Sequence, residues 1–319
     1  MRLYHIAAVL GLAATALSAP ASAADYPSRE VLLVIPIEPK GIIDSIASPI
    51  AAQMHELTKQ PFRTDYRPGA LTAIGSASVA KAPGDGYTLL ANSRQIVNNE
   101  FLAKDHPLDL RKDLTPVSLV ATTPFVVLVN PALPAKNVAE LIALAKSRNG
   151  ALSYANSGRG SNQQMSVELL KSMSGISLVK KEYDGGGGAL DAIISGDADF
   201  GIFAPGAAAS AVKDGKVRAI AITAKERTAG LADVPTVAES GLPGYEFTSW
   251  VGIFAPSSIQ PATLEAVGSV VQKAAKDSTF VSLMSSRGAK AVGSSPAEFK
   301  TFLDAELALW GGIIAKSGI

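Results

Sequence analysis

One stretch, Leu152–Met173, constrains the fold of this 319-residue chain more than any other. Its sequence, LSYANSGRGSNQQMSVELLKSM, reads as a short strand over Leu152–Ala155, a Gly-rich turn over Asn156–Ser161 and an amphipathic helix from about Gln163. A turn of this kind brings backbone N–H groups without intrahelical partners to a helix start, and the helix dipole adds partial positive charge. Together they make an anion site. Val31–Leu57 repeats the order. The β-branched run Val31–Ile35 suits a strand buried on both faces, Pro36–Gly41 is a turn, and Ile46, Ile50, Met54 and Leu57 line one side of a helix. Asp44 or Ser45 is expected to cap that helix.

The alternation continues. Strands are expected at Phe62–Tyr66, Tyr87–Ala91, Val117–Ala121, Phe125–Asn130, Ser177–Lys181, Ala198–Phe203 and Ala219–Thr223. Helices are expected at Thr72–Ala80, Val138–Ser147, Ala189–Ile194, Ala207–Lys213, from Val234 to Glu239, and at Pro261–Asp277, Thr279–Arg287 and Pro296–Lys316. Asn98–Lys112 reads as polar and irregular. Thr122-Thr123-Pro124 is a candidate hinge, and apolar Phe247–Ala255 is expected to cross back to the first domain. The class is α/β with mixed, mostly parallel sheets, in which ligands sit beyond the carboxyl ends of strands.

Hydrophobic content of 47% against 18% charged residues allows a sizeable core and argues against disorder. A net charge of +1 excludes binding driven by phosphate neutralisation, so no nucleic-acid partner is expected. The absence of cysteine removes disulfides, thiolate metal sites and Cys nucleophiles. Residues 1–23 read as a signal peptide: Arg2, the apolar run Ile6–Leu17, and Ala21-Ser22-Ala23 before a cut at Ala24. The run is shorter than the roughly 20 residues that span a bilayer. A periplasmic destination follows.

Catalytic signatures are weak. Gly158-x-Gly160 invites a dinucleotide reading, but Gln163 stands at the third fingerprint position, although Glu182 and Asp184 fall where a ribose-binding acid would. No G-x-x-x-x-G-K-[ST], G-x-S-x-G or H-E-x-x-H motif occurs, and the histidines are His5, His55 and His106. Asp197 and Asp199 point to opposite faces of a strand start. No catalytic residue, metal or cofactor is expected. The run Gly185–Gly188, read as a loop, lets backbone N–H groups converge on a ligand. Arg159 reads either as a surface residue or as a carboxylate clamp. Phe203 and Trp250, at strand ends, read as core or as cleft walls.

Several segments together resemble the substrate-binding proteins of tripartite tricarboxylate transporters, the Bug (TctC-like) family. They are Tyr26-Pro27-Ser28-Arg29 running into VLLVIP, Arg67-Pro68-Gly69-Ala70 with Ile74-Gly75, and Asp85-Gly86-Tyr87-Thr88-Leu89-Leu90. Pro116–Val120, Asp233-Val234-Pro235-Thr236, Gly241-Leu242-Pro243-Gly244-Tyr245 and Trp310 complete the series, which spans the mature chain. The resemblance implies a two-lobed Venus-flytrap periplasmic binding protein, type II-like, with lobes at 24–122 plus 249–319 and at 123–248. It implies a monomer that delivers a small organic carboxylate to membrane permease subunits, and no enzyme activity. An exported enzyme acting on a carboxylate, or a sensor subunit for a receptor kinase, are the alternatives.

By the same resemblance the ligand is held by the loop after the first strand and by two second-lobe loops. These supply Pro39, Gly41, Ile42, Ile43 and Asp44; then Ser157, Gly158, Arg159, Ser161 and Asn162; then Tyr183, Gly185, Gly186 and Gly187. Ser93 and Phe203 complete the expected set. The family's first loop reads like P-P-G-G-A-T-D, whereas here Lys40 and Ile43 replace a Gly and the Thr. Arg159 and Ser161 stand for Asn and Thr, Phe203 for an acid, and Asp184 with all-glycine spacing for a Lys and a Pro. These departures point to a more apolar pocket with a stronger cation at one end, suited to a longer dicarboxylate or an aromatic acid.

Overall fold

The computed structural model describes residues 26–103, 108–228 and 231–319. The expected signal peptide and His106 lie outside them. The first sheet contains β1 (Val31–Ile35), β2 (Phe62–Tyr66), β3 (Thr88–Ser93), β4 (Leu114–Pro124), β10 (Thr248–Pro256) and β11 (Lys290–Ala291), in the order β11-β4-β10-β3-β1-β2. The second contains β5 (Val126–Val129), β6 (Ser153–Asn156), β7 (Val179–Glu182), β8 (Phe200–Phe203) and β9 (Arg218–Ile222), in the order β7-β6-β8-β5-β9.

The helices are α1 (Asp44–Thr58), α2 (Ala73–Ala80), α3 (Gln95–Leu102), α4 (Leu110–Asp113), α5 (Val138–Ser147) and α6 (Asn162–Ser174). They continue with α7 (Gly185–Ser195), α8 (Pro205–Lys213), α9 (Pro261–Lys276), α10 (Ser278–Ser286) and α11 (Pro296–Ser317). Each sheet with its helices forms a lobe.

Both sheets are mixed, and neither is mostly parallel: among the described residues the first has two parallel and three antiparallel pairings and the second two of each. β1 runs parallel to β2 and β3, and β6 parallel to β7 and β8. β10 and β5 are antiparallel to both of their neighbours. A parallel neighbour needs a crossover, usually helical. β5 and β10 are the strands on which the chain passes from one sheet to the other, β5 after one residue and β10 after the stretch 223–247.

The crossing is narrower than the expected Thr122–Pro124 break. Those residues extend β4, pairing with Trp250, Ser249 and Thr248. Only Phe125 separates β4 from β5. Thr223 fastens the two crossing strands: its Oγ1 accepts from Phe125 N at 2.7 Å and donates to the Phe247 carbonyl at 2.6 Å.

Two further differences have local causes. Asn98–Lys112, expected to be irregular, begins inside helix α3, in which Asn98 and Asn99 are buried beside Ile96, Val97 and Leu102, and ends inside α4. Val234–Glu239 forms turns instead of a helix. There the Glu239 carboxylate accepts the Thr236 N–H at 2.7 Å, a capping contact with no helix behind it.

One hydrophobic cluster runs through both lobes, joining Trp250, Phe254, Phe299 and Trp310 to Tyr154 and Phe200. Trp250 is fully buried within it and does not wall a cleft; its indole N–H donates to Glu306 at 2.7 Å.

Candidate functional site

The second lobe presents two helix starts side by side. After β6 the chain turns through Gly158 (φ +123°) and Gly160 (φ +72°), conformations that a side chain resists. Ser161 caps α6: its hydroxyl accepts the Gln164 N–H at 3.2 Å and donates to Asn156 Oδ1 at 2.7 Å. Ser157 donates to Gln163 Oε1 at 3.0 Å, and the Gly160 N–H is taken by Gln164 Oε1 at 2.8 Å. Both serine hydroxyls therefore serve the turn itself. The N–H groups of Asn162 and Gln163 lie in the first turn, where no helical carbonyl precedes them.

The glycine run is not a loop. Gly185–Gly188 form the first turn of α7. The run reads as a loop from sequence because glycine is a poor helix former. Asp184, before it, makes no capping hydrogen bond. The N–H groups of Gly185, Gly186 and Gly187 thus also lack helical partners. A Cβ built at Gly186 would lie 3.6 Å from Gln163 Nε2, which sets the start of α7 against the start of α6. At Gly187 a Cβ would meet nothing within 4 Å, so the fold itself does not require glycine there. Arg159 is exposed beside these helix starts.

Three expected side chains are committed elsewhere. The Tyr183 hydroxyl donates to Asp197 at 2.6 Å; burial, then Asp197, pushes its pKa up to about 12. Phe203, expected at the ligand, is only 2% exposed and belongs to the core with Ala189 and Ile193. Its ring folds over Gly201, where a Cβ would come within 2.6 Å of it. Ile43, 1% exposed, packs with Ile35 and Ile46 under α1. Alternation of exposed Ile42 with Ile43 at the helix entry sends one isoleucine out and the other in.

In the first lobe, the loop after β1 carries Pro39 and Gly41 and is pinned by Asp44. This residue is the first of α1 and does not cap it. Its carboxylate instead accepts from Lys40 N at 2.7 Å, from Tyr66 OH at 2.9 Å and from Ser48 Oγ. A capping carboxylate needs a position before the helix, and Tyr66 draws this one across to β2. Burial would raise the Asp44 pKa, but the hydrogen bonds from Ser48, Lys40 and Tyr66 outweigh it and hold the carboxyl below its usual value.

A depressed folded-state pKa makes the contribution of Asp44 complete above the unfolded value of about 3.9 and lost as pH falls through the folded one. Asp44→Asn is expected to flatten the acid limb of a Tm-versus-pH curve below about pH 4. An acid limb identical to that of the native protein would contradict this.

Ser93, at the end of β3, is largely buried and accepts the Gln95 N–H at 3.3 Å. Beyond it, α3 joins the lobes, a role not legible in sequence. The Asn98 amide donates to the Gly160 carbonyl at 3.0 Å, and Asn99 donates to the Leu71 carbonyl. Asparagines flanked by Ile96, Val97 and Leu102 were the available signal.

A separate groove of about 660 Å³ lies at the crossing strands, lined by Thr122, Lys225, Glu226, Arg227, Glu246 and Lys290 among others. Its charges are of both signs and partly paired, Lys290 with Glu226 at 3.8 Å and Arg227 with Glu239 at 2.9 Å.

Residues 46–319 match the family model described as the tripartite tricarboxylate transporter family receptor, TctC. The chain belongs to that family. It is similar to the protein BugT of Bordetella pertussis, with 29% identity over all of this chain and 99% of that one. An R. palustris protein, Rpa4515, has a solved structure with adipate; it is 32% identical with a TM-score of 0.76, covering 92% of this chain and 99% of that one. MatC of Rhodopseudomonas palustris, solved with bound malate, is 28% identical with a TM-score of 0.72, covering 91% and 100%. The chain is thus a TctC-type solute-binding receptor in fold and family.

Proposed function

We propose that this receptor is a periplasmic protein that captures a small organic carboxylate and delivers it to the membrane permease of a tripartite tricarboxylate transporter. The observation that carries the proposal is the meeting of two helix starts in the second lobe, one of them built from glycine alone over its first turn. Unpartnered N–H groups on two adjacent helices, with Arg159 beside them, favour an anion over a neutral ligand. The ligands named for two relatives, adipate and malate, are both dicarboxylates.

The lobes, taken as 24–122 plus 249–319 and 123–248, would close on the ligand as a monomer. A ligand shifts such a balance only by its differential affinity for the two states, so both lobes must touch it. In the first lobe the candidate contacts are Pro39, Gly41 and Ile42. Exposed Ile42 favours a ligand with an apolar body, a longer dicarboxylate or an aromatic acid.

A thermal-shift screen of linear dicarboxylates and benzoates against ligand-free protein is expected to give a stabilising hit. Arg159→Ala should then weaken that ligand roughly tenfold, near the low end for a charged hydrogen bond. Stabilisation by no carboxylate would refute the function; unchanged affinity in the variant would remove Arg159 from the site. Mass spectrometry of the recovered ligand tests for turnover, and an altered ligand would replace the receptor reading with an enzyme.

A further inference from the structure

The turn between β2 and α2 holds three consecutive non-glycine residues in the left-handed region: Ala70 at φ +46°, Leu71 at +53° and Thr72 at +80°. L-residues resist this conformation, and it persists only where the surroundings over-determine it. Here they do. The Asn99 amide donates to the Leu71 carbonyl, the Asn92 amide donates to Thr72 Oγ1 at 3.3 Å, and Ser76 Oγ donates to the Thr72 carbonyl at 2.8 Å. Leu71 gains nothing for the fold in return: it is 62% exposed, and Ile74, three residues on in the first turn of α2, is 56% exposed.

The turn also has a defined place. It lies beyond the carboxyl end of β2, the edge at which α/β sheets bind ligands. Helix α3 fixes it through Asn99, while the preceding Asn98 donates to the Gly160 carbonyl of the second-lobe anion turn at 3.0 Å. One helix therefore positions both the strained apolar turn and the turn assigned to the carboxylate.

We propose that Leu71 is a specificity-determining residue that covers the hydrocarbon body of the bound carboxylate, and that the left-handed turn exists to aim it. This rests on the carboxylate-receptor reading above. The chemistry it selects is a run of methylenes or an aromatic ring attached to the carboxylate.

The test titrates linear dicarboxylates of four to eight carbons and benzoate into native protein, Leu71→Gly and Leu71→Asn. Both replacements tolerate positive φ. Leu71→Gly is expected to raise Tm by roughly 2 °C through relief of strain. Both variants should bind the preferred long or aromatic acid roughly tenfold more weakly, while affinity for the four-carbon acid is unchanged, a loss typical of one apolar contact. Carboxylate binding with an unaltered ratio of long to short acids would overturn the role of Leu71 and leave the receptor function standing. No carboxylate binding in the native protein would overturn both.

Discussion

Glu306→Ala is expected to destabilise the protein by about 3–5 kcal/mol, the range for removing one partner of a buried ion pair. Arg94 is only 3% exposed, and its Nη1 lies 3.0 Å from Glu306 Oε2. Its Nη2 donates to the carbonyl of Thr248, where the chain re-enters the first sheet. The guanidinium also stacks against Phe247 at 4.6 Å and Trp310 at 4.8 Å. Burial pushes the Arg94 pKa down and Glu306 opposes that. An arginine does not escape by losing its proton, so removal of Glu306 leaves a buried charge without its counter-ion. It also deprives the Trp250 indole of its 2.7 Å acceptor. Urea denaturation measures the loss. The double variant Arg94→Met with Glu306→Leu, which removes both charges, should be less destabilised than the single one. A single-variant loss under about 1 kcal/mol, the scale of an exposed pair, would contradict this account of the crossing.

Gly187→Ala is expected to strengthen the fold and weaken the function. The position is inside α7 and open, with nothing within 4 Å of an added Cβ. Alanine there should stabilise the ligand-free protein by about 0.5–1 kcal/mol, since glycine loses more backbone freedom in a helix. The same methyl group would stand where a ligand approaches the helix N–H groups. An over-packed contact costs about 1–3 kcal/mol, so affinity for the bound carboxylate should fall tenfold or more. Thermal melts and calorimetric titration of the same preparation separate the two effects. A variant that gains stability and keeps its affinity would show that the glycine run serves no ligand.

The strand Val31–Ile35 was legible as an apolar run ahead of a turn, and the strand Phe62–Tyr66 and the helix Val138–Ser147 also fall where the sequence places them. Helix α3 was not, because Asn98 and Asn99 look solvated until their partners Gly160 and Leu71, distant in sequence, are brought to them. The glycine run shows the opposite limit. Low helix propensity argued for a loop, and tertiary placement made a helix turn of it. In the site, backbone-rich turns were readable, but side-chain direction was not. Ile43 and Phe203 sit in the expected segments and face the core, and Asp44 is drawn to Tyr66, 22 residues on. The left-handed turn at Ala70–Thr72 carries no glycine after Gly69 to announce it.

The central claim is that adjacent starts of α6 and α7 recognise negative charge. Calorimetric titration of ligand-free protein with the best dicarboxylate from the screen, and with its uncharged diamide of the same length, tests it most directly. The expected result is saturable binding of the acid, with the diamide at least roughly a hundredfold weaker, as loss of charge-assisted hydrogen bonds requires. Equal binding of acid and diamide would contradict it.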